Sequence, residues 1–197
     1  SFPRPCMDDW SANSAYLRRP FSIADRWEDQ AGRTHLVVIS REVGVGTRWL
    51  DQRKEGDRIN ISGPLGRGFD LPDRETVCIL VGGGVGIPPL LYLSRVLWQR
   101  GCNDGMVIFG VLSRDLFPLP LTAEPAVDGA PAPSLSLPGD ARYPAILTTN
   151  DGSLGMRGLV TDALRLWESR RREDRRRICV FACGPERMLR AVARLTR

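Results

Sequence analysis

A glycine-rich segment directly after an apolar run offers the clearest chemistry in this sequence. Residues 77–81 are continuously apolar and predict a buried strand, residues 82–86 contain four glycines, and residues 90–99 predict a helix. Backbone amides without neighbouring side chains can approach a diphosphate, and the positive end of a helix favours its charge. The segment therefore predicts a dinucleotide-binding loop, with a plain glycine-rich turn as the alternative. Because Pro88 and Pro89 follow the last glycine, the pattern departs from the Rossmann fingerprint.

The elements that must position this loop alternate between strand and helix. Apolar runs at residues 106–112, 145–149 and 178–182 predict further strands, and residues 158–172 predict an amphipathic helix. Pro185 begins the last helix, where its missing amide costs nothing. This alternation is typical of a parallel sheet in an α/β domain. Residues 116–144, rich in proline and small side chains, predict a surface excursion that is either mobile or a partner contact.

The first third of the chain has a different pattern. Residues 36–39 form an apolar run rich in β-branched side chains, and residues 58–62 alternate polar and apolar before a glycine-proline turn. Short strands separated by turn signals predict a small antiparallel barrel. The boundary between the two patterns lies at residues 72–75, which predicts domains at residues 1–73 and 74–197.

Composition excludes several classes of protein. The chain has 197 residues, 42% hydrophobic and 26% charged, which is ordinary for a globular protein. Its apolar stretches fall well short of the roughly 20 residues that cross a bilayer, and no signal peptide is recognisable, so a cytoplasmic location is expected.

Much of the net charge of +5 lies in the arginine run at residues 170–177, which two acids interrupt; a solvated helix end is favoured over a nucleic-acid site. Five cysteines without knuckle spacing predict neither a metal site nor a disulfide framework.

Four short segments resemble the motifs of the ferredoxin reductase family, in that family's order. They are Arg19-Pro20-Phe21-Ser22, Gly44-Val45-Gly46-Thr47, the segment from Gly82 to Pro89, and Cys183-Gly184-Pro185. Taken singly, the first two could be an ordinary strand and an ordinary helix entry. Longer blocks are similar to the electron-transfer subunits of type B dihydroorotate dehydrogenases, from about Leu17 to the end. The resemblance implies a two-domain fold, in which an antiparallel β-barrel FAD domain, incomplete at its N-terminus, precedes an α/β parallel-sheet nicotinamide-dinucleotide domain.

The same resemblance assigns residues to two cofactors. FAD contacts are expected from Arg19, Pro20, Phe21, Ser22, Ile39, Ser40, Arg41, Gly46 and Thr47. Contacts with NAD(H) are expected from Gly83, Gly84, Val85, Gly86, Ile87, Pro88, Asp151, Cys183, Gly184 and Pro185. Two residues are expected at the redox centre: Ser22 would hydrogen-bond the flavin edge, and Cys183 would border the nicotinamide. A small buried hydrophobe is the alternative role for Cys183.

The function implied is that of an FAD-containing subunit that oxidises NADH and exchanges electrons with a dihydroorotate dehydrogenase catalytic subunit in pyrimidine biosynthesis. A hetero-oligomer without nucleic-acid or membrane partners is expected. Alternatives are a related NAD(P)H-dependent flavin oxidoreductase subunit, of the hydrogenase or glutamate synthase accessory type, and an FAD-binding module without turnover.

Two points of cofactor chemistry stay open in the sequence. The related subunits end in a cysteine cluster for a 2Fe-2S centre, which here is expected only in a C-terminal tail beyond Arg197. Asp115 and Asp151 favour NAD over NADP because they would repel a 2'-phosphate, whereas Arg114 could bind one.

Overall fold

The computed structural model describes residues 18–171 and 176–196. Their strands are β1 (Ile23–Glu28), β2 (Thr34–Val38), β3 (Val77–Gly83), β4 (Gly105–Val111), β5 (Ala145–Thr149), β6 (Met156–Arg157) and β7 (Ile178–Cys183). The α-helices are α1 (Val45–Asp51), α2 (Ile87–Gln99), α3 (Val160–Arg170) and α4 (Glu186–Leu195). The strands predicted at residues 36–39, 77–81, 106–112, 145–149 and 178–182 are confirmed, and the predicted helices correspond to α2, α3 and α4. The arginine run lies partly outside the described residues.

Strands β3 to β7 form one parallel sheet in the order β6-β5-β4-β3-β7. Every residue of β3 is buried, because apolar clusters cover both faces of the sheet. Leu90 and Leu97 of α2 belong to one cluster, and Val160 of α3 and Val192 of α4 belong to the other. A parallel sheet covered on both faces requires continuous apolar runs. The predicted α/β parallel sheet is therefore confirmed.

The direction of winding reverses at β3. The chain builds outward through β4, β5 and β6, and then returns to place β7 on the other side of β3. The carboxyl ends of β3 and β7 consequently lie side by side. In open α/β sheets this reversal is the place where ligands bind.

Strands β1 and β2 form an antiparallel hairpin with a bulge. Ile23 pairs with Val38 and Asp25 with Val37, so Ala24 is the extra residue of the bulged strand. Ala24 is buried in the same cluster as the inner face of α2. By its contacts the hairpin belongs to a compact unit made of Ser22–Ile39 and the chain from Gly68 onward, whereas residues 18–21 and Ser40–Arg67 form a second unit. The domain division at residue 73 stays a prediction.

The strand predicted at residues 58–62 is wrong, since these residues join no sheet of the described chain. Ile59 and Ile61 are exposed, and Asn60 accepts hydrogen bonds from the Arg18 guanidinium through its backbone and side-chain oxygens. Alternating polarity describes a half-buried strand only where a neighbouring strand supplies ladder partners. Of the predicted barrel, the described residues contain one antiparallel pair, and the part that falls on residues 1–17 lies outside them.

The prediction of a surface excursion at residues 116–144 is also wrong. Leu135, Leu137 and Tyr143 are buried in the main core cluster. The Tyr143 hydroxyl donates to the Cys102 carbonyl, and its ring meets Trp98 edge-on at 5.3 Å between centroids. An isolated bridge between Ala132 and Ala145 also ties the segment to β5. Prolines prevent regular structure here, but the apolar side chains between them still cover the sheet.

The described residues contain neither a candidate membrane span nor a candidate metal site. No helix among them is both long and apolar enough to cross a membrane. In residues 18–171 and 176–196, no group of three or more histidine, cysteine or acidic side chains could hold a metal ion.

Truncating the buried part of this segment tests its role in the core. Leu137 is 5% exposed and Val127 is 78% exposed. Leu137→Ala is expected to lower the free energy of unfolding by about 2–4 kcal/mol, because it removes buried methyl groups and leaves a cavity. Val127→Ala, the matched control in the same segment, should change it by less than about 0.5 kcal/mol. Urea denaturation measures both, and equal effects would contradict the burial of this segment.

Candidate dinucleotide-binding site

The glycine-rich loop joins β3 to α2 at the winding reversal. A single 3-10 turn, Gly84–Gly86, connects the strand to the helix, and Pro88 occupies the first turn of α2. Val85 is 83% exposed, whereas Ile87 is fully buried in the core. Of these predicted contact residues, Val85 can present its side chain to a ligand, whereas the Ile87 amide donates to the Gly84 carbonyl within the turn.

The two glycine motifs predicted from the sequence meet at this loop. A Cβ atom added to Gly86 would lie 2.0 Å from the Cys183 carbonyl oxygen and 2.5 Å from the Gly184 amide nitrogen. Only glycine permits backbones to approach this closely. The segments around residues 83 and 183 thus form one continuous backbone surface, although a hundred residues of chain separate them.

Met188 lies beneath both motifs. A Cβ at Gly83 would come within 2.5 Å of its Sδ atom, and a Cβ at Gly184 within 2.7 Å of its Cε atom. Gly184 also has a φ of +156°, which side-chain-bearing residues rarely adopt. The thioether of Met188 therefore fills the space that both glycines leave, in the first turn of α4.

Cys183 ends β7, where it pairs with Gly82 of β3. Its side chain is half-buried, and burial raises the pKa of the thiol above its usual range. At neutral pH this position therefore carries a neutral thiol. Such a group can pack against an aromatic ring without adding charge.

Asp151 follows β5 and is exposed. It accepts hydrogen bonds from the Ser153 hydroxyl at 2.6 Å and the Ser153 amide at 3.0 Å. These bonds hold the pKa of the Asp151 carboxyl below its usual value. With β4 between β5 and β3, Asp151 lies about 10 Å across the sheet from the glycine loop. That separation suits the diphosphate and a ribose of one dinucleotide.

Arg114 lies after β4, between these two positions. Its amide donates to the Ser153 hydroxyl at 2.9 Å. Its guanidinium donates to the Glu124 carboxylate, with Nη2 2.7 Å from Oε1. The charge of Arg114 is therefore already partnered by an acid within the same unit.

The predicted flavin residues fall in both units. In the unit containing α1, the Arg19 side chain lies against Gly46, where an added Cβ would be 3.1 Å from its Nε atom. Thr47 caps α1, because its hydroxyl accepts from the Val43 and Gly44 amides at 2.9 and 3.2 Å. Pro20, Phe21, Ser40 and Arg41 are exposed in this unit.

Two other predicted flavin residues belong to the unit with the parallel sheet. Ser22 immediately precedes β1, and Ile39 immediately follows β2. Because Ile23 pairs with Val38, Ser22 and Ile39 lie at the same open end of the hairpin. Ser22 is exposed there and Ile39 packs on the core.

The chemistry of these groups fits two dinucleotides. A Cβ at Gly84 would meet no atom within 4 Å, so the outer side of the glycine loop is open to a ligand. The amides of that loop at the start of α2 could hold the diphosphate of NAD(H). The guanidinium of Arg19, with the nearby backbone of Gly46, could hold the diphosphate of FAD.

Solved structures define the class of protein. The NADH-dependent reduced ferredoxin–NADP oxidoreductase matches with a TM-score of 0.65 and 25% identity, over 91% of this chain and 56% of its own. Phthalate dioxygenase reductase, described as a modular structure for electron transfer from pyridine nucleotides to [2Fe-2S], matches with a TM-score of 0.57 and 21% identity, over 91% of this chain and 50% of its own. The fold is therefore that of the ferredoxin reductase-like oxidoreductases.

Curated relatives narrow this class. The chain is 39% identical over 177 residues to the probable dihydroorotate dehydrogenase B (NAD(+)), electron transfer subunit, of Thermococcus kodakarensis, covering 90% of this chain and 61% of the relative. It is 34% identical over 178 residues to the subunit of the same name from Geobacillus thermodenitrificans, covering 89% and 59%. The chain thus spans about three fifths of the length of these relatives. No family model matches it.

Sequence reasoning missed three residues at this site: Met188, Ser153 and Glu124. Met188 had a usable signal, because it lies one helical turn after the motif that ends at Pro185. Ser153 and Glu124 act through contacts with Asp151 and Arg114 that no local pattern indicates.

Substituting the two loop glycines distinguishes a side-chain obstacle from a backbone one. Gly83→Ala is expected to lower the free energy of unfolding by about 1–3 kcal/mol, since its Cβ meets Met188. In the Gly83→Ala/Met188→Ala double variant, the glycine substitution should have little further effect beyond Met188→Ala alone. Gly86→Ala meets backbone atoms instead, so Met188→Ala should not relieve it. Thermal unfolding of wild type, the three single variants and the two double variants measures these couplings; a Gly86→Ala variant rescued by Met188→Ala would contradict this geometry.

The raised pKa of Cys183 predicts a steep pH dependence of its alkylation. An unperturbed thiol of pKa about 8.5 reacts about fourfold faster at pH 10 than at pH 8, because the thiolate is the nucleophile. Because burial raises its pKa, Cys183 should show a larger ratio of the alkylation rate at pH 10 to that at pH 8. Restricted access to the thiol slows both rates equally and so does not change this ratio. Iodoacetamide labelling followed by peptide mass spectrometry measures this, with the urea-unfolded chain as the control. A ratio in the folded chain no larger than in urea would contradict the shift.

Proposed function

We propose that this chain is the FAD-containing electron-transfer subunit of a type B dihydroorotate dehydrogenase. It oxidises NADH and passes electrons to or from a partner catalytic subunit in pyrimidine biosynthesis, within a hetero-oligomer in the cytoplasm. The observation that carries the proposal is the contact between Gly86 and the Cys183-Gly184 backbone, which joins two distant glycine motifs at the winding reversal of the sheet. The names of the relatives support the choice of electron partner.

The residues of the chain would bind and orient two cofactors. Residues Gly83 to Pro88, with Gly184 and Pro185, hold the diphosphate and nicotinamide half of NAD(H), and Asp151 accepts hydrogen bonds from a ribose. Arg19, Pro20, Phe21, Ile39, Ser40, Arg41, Gly46 and Thr47 contribute to binding of FAD, which supplies the hydride acceptor when bound. Ser22 donates a hydrogen bond to the flavin edge. Cys183 borders the nicotinamide as a neutral thiol and keeps charge away from the ring.

NADH is preferred over NADPH in this proposal. The Glu124 carboxylate lies 2.7 Å from the Arg114 guanidinium and adds a negative charge that disfavours a 2'-phosphate there. The ionised Asp151 carboxylate would repel that phosphate.

Anaerobic reduction tests the proposal. The chain is reconstituted with FAD and mixed with NADH or NADPH in a stopped-flow spectrometer. The absorption of blue light by the oxidised flavin is expected to disappear on mixing with NADH, at lower nucleotide concentrations than with NADPH. Adding a dihydroorotate dehydrogenase catalytic subunit with orotate should then restore the absorption.

Each failure has a distinct meaning. An unchanged flavin spectrum with both nucleotides overturns the proposal and favours an FAD-binding module without turnover. Reduction by NADH without reoxidation by orotate and the catalytic subunit, in a full-length protein that carries the 2Fe-2S centre, favours the alternative of a related flavin oxidoreductase subunit, with which the structural likeness to an NADH-dependent ferredoxin–NADP oxidoreductase is consistent.

The role of Arg19 is tested separately. Arg19→Ala is expected to raise the dissociation constant of FAD by roughly 10- to 100-fold, because a charge-assisted hydrogen bond to a phosphate contributes about 1.5–3 kcal/mol. Arg53→Ala is the control in the same unit, where Arg53 pairs with Asp57 and stacks on Trp49. Quenching of FAD fluorescence measures both constants. Equal losses of affinity would contradict a specific contact at Arg19.

A further inference from the structure

A half-buried ion pair joins the hairpin to α2. Nη1 of Arg95 lies 2.9 Å from Oδ1 and 3.0 Å from Oδ2 of Asp25, across 70 residues of sequence. The two side chains are 19% and 16% exposed. Exposed ion pairs such as Arg26–Glu28 on the same hairpin are screened by water, whereas this pair is largely shielded from it.

The bulge in β1 is what points Asp25 at α2. Ala24 is the extra residue, and it is buried against the core cluster of α2. A regular strand would place Ala24 and Asp25 on opposite faces, so without the bulge the core residue and the charged residue could not both face the helix. Bulges of this kind are over-represented next to active sites, where they redirect a side chain.

Arg95 is held from a second side. The turn at Pro138–Asp140 passes over its side chain, and a Cβ at Gly139 would come within 2.6 Å of the Arg95 Cγ atom. Gly139 has a φ of +64°, which also favours glycine. The guanidinium is therefore presented to Asp25 by a side chain with little freedom to move.

Each partner is joined by a short stretch of its own strand or helix to a proposed cofactor residue of the same unit. Asp25 is three residues after Ser22, and Arg95 is seven residues after Pro88, about two turns along α2. Apolar contacts of Ala24 already hold the hairpin on the helix. A largely buried ion pair adds little net stability compared with apolar packing, so attachment of the hairpin to the helix does not depend on it.

We propose that Asp25 and Arg95 are a positioning pair that sets the place of Ser22 relative to the loop from Gly84 to Pro88. This inference rests on the proposed function, because Ser22 serves the flavin and the loop serves the nicotinamide nucleotide. Hydride transfer depends steeply on alignment, and a displacement of about 1 Å can lower a rate by roughly 100-fold.

The test compares Asp25→Asn, Arg95→Gln and Arg95→Lys with the wild-type chain, and uses Glu28→Gln as the matched control on the same hairpin. Four quantities are measured: the rate of flavin reduction at saturating NADH, the dissociation constants of NADH and FAD, the midpoint of thermal unfolding, and the long-wavelength charge-transfer absorbance of the reduced protein with NAD(+). The last is an equilibrium signature of ring alignment and does not depend on turnover.

Asp25→Asn and Arg95→Gln are expected to lower the saturated rate roughly 10- to 100-fold and to weaken the charge-transfer absorbance, with both dissociation constants within about twofold of wild type. Arg95→Lys keeps the charge and should retain more of both signals; it also keeps the test decisive if a neutral variant fails to fold. Glu28→Gln should match wild type.

Variants that melt earlier but keep the wild-type saturated rate and absorbance would overturn the positioning role. A loss of rate in Glu28→Gln equal to that in Asp25→Asn would also overturn it. A wild-type chain that NADH does not reduce would instead overturn the proposed function, which distinguishes the two failures.

Discussion

The structure depends on the absence of any side chain at the crossing of two backbones. Gly86, at the start of α2, lies so close to the end of β7 that its missing Cβ is the space occupied by the Cys183 carbonyl. Van der Waals repulsion excludes a side chain at Gly86, since a backbone cannot move aside by changing rotamer as a side chain can. The parallel order of the sheet brings the two segments together, and the glycines let them meet.

The same close contact with β7 determines which side of the glycine loop faces outward. Closing its inner side against β7 leaves Gly84 and Val85 facing outward. Met188 fills the space beneath Gly83 and Gly184, so the loop rests on a packed side chain. A loop supported in this way can present amides in a fixed geometry. Binding of a diphosphate to it then costs little conformational entropy, because the loop is already ordered.

Much of the parallel sheet could be predicted from the sequence, because a strand buried on both faces must be continuously apolar, as residues 77–81 are. The segment at residues 116–144 could not, since its prolines hide a pattern in which Leu135 and Leu137 are buried without belonging to a strand or helix. The strand predicted at residues 58–62 is wrong for the opposite reason. Its polar and apolar residues alternate, but no strand of the described residues pairs with it. Local patterns report what a segment can bury, and tertiary contacts decide whether it does.

The residues of the candidate site show the same difference between local patterns and tertiary contacts. The close approach at Gly86 and Gly184 could be predicted because a backbone requirement leaves a trace in residue type, whereas the roles of the site residues stay predictions. Glu124 and Ser153 could not, since an acid or a serine in a loop is compatible with many environments, and their contacts with Arg114 and Asp151 depend on the fold. The effect of Glu124 is nevertheless chemical. Glu124 places a carboxylate beside Arg114, so both side chains, and not the arginine alone, determine the charge that a ligand meets at this edge of the sheet.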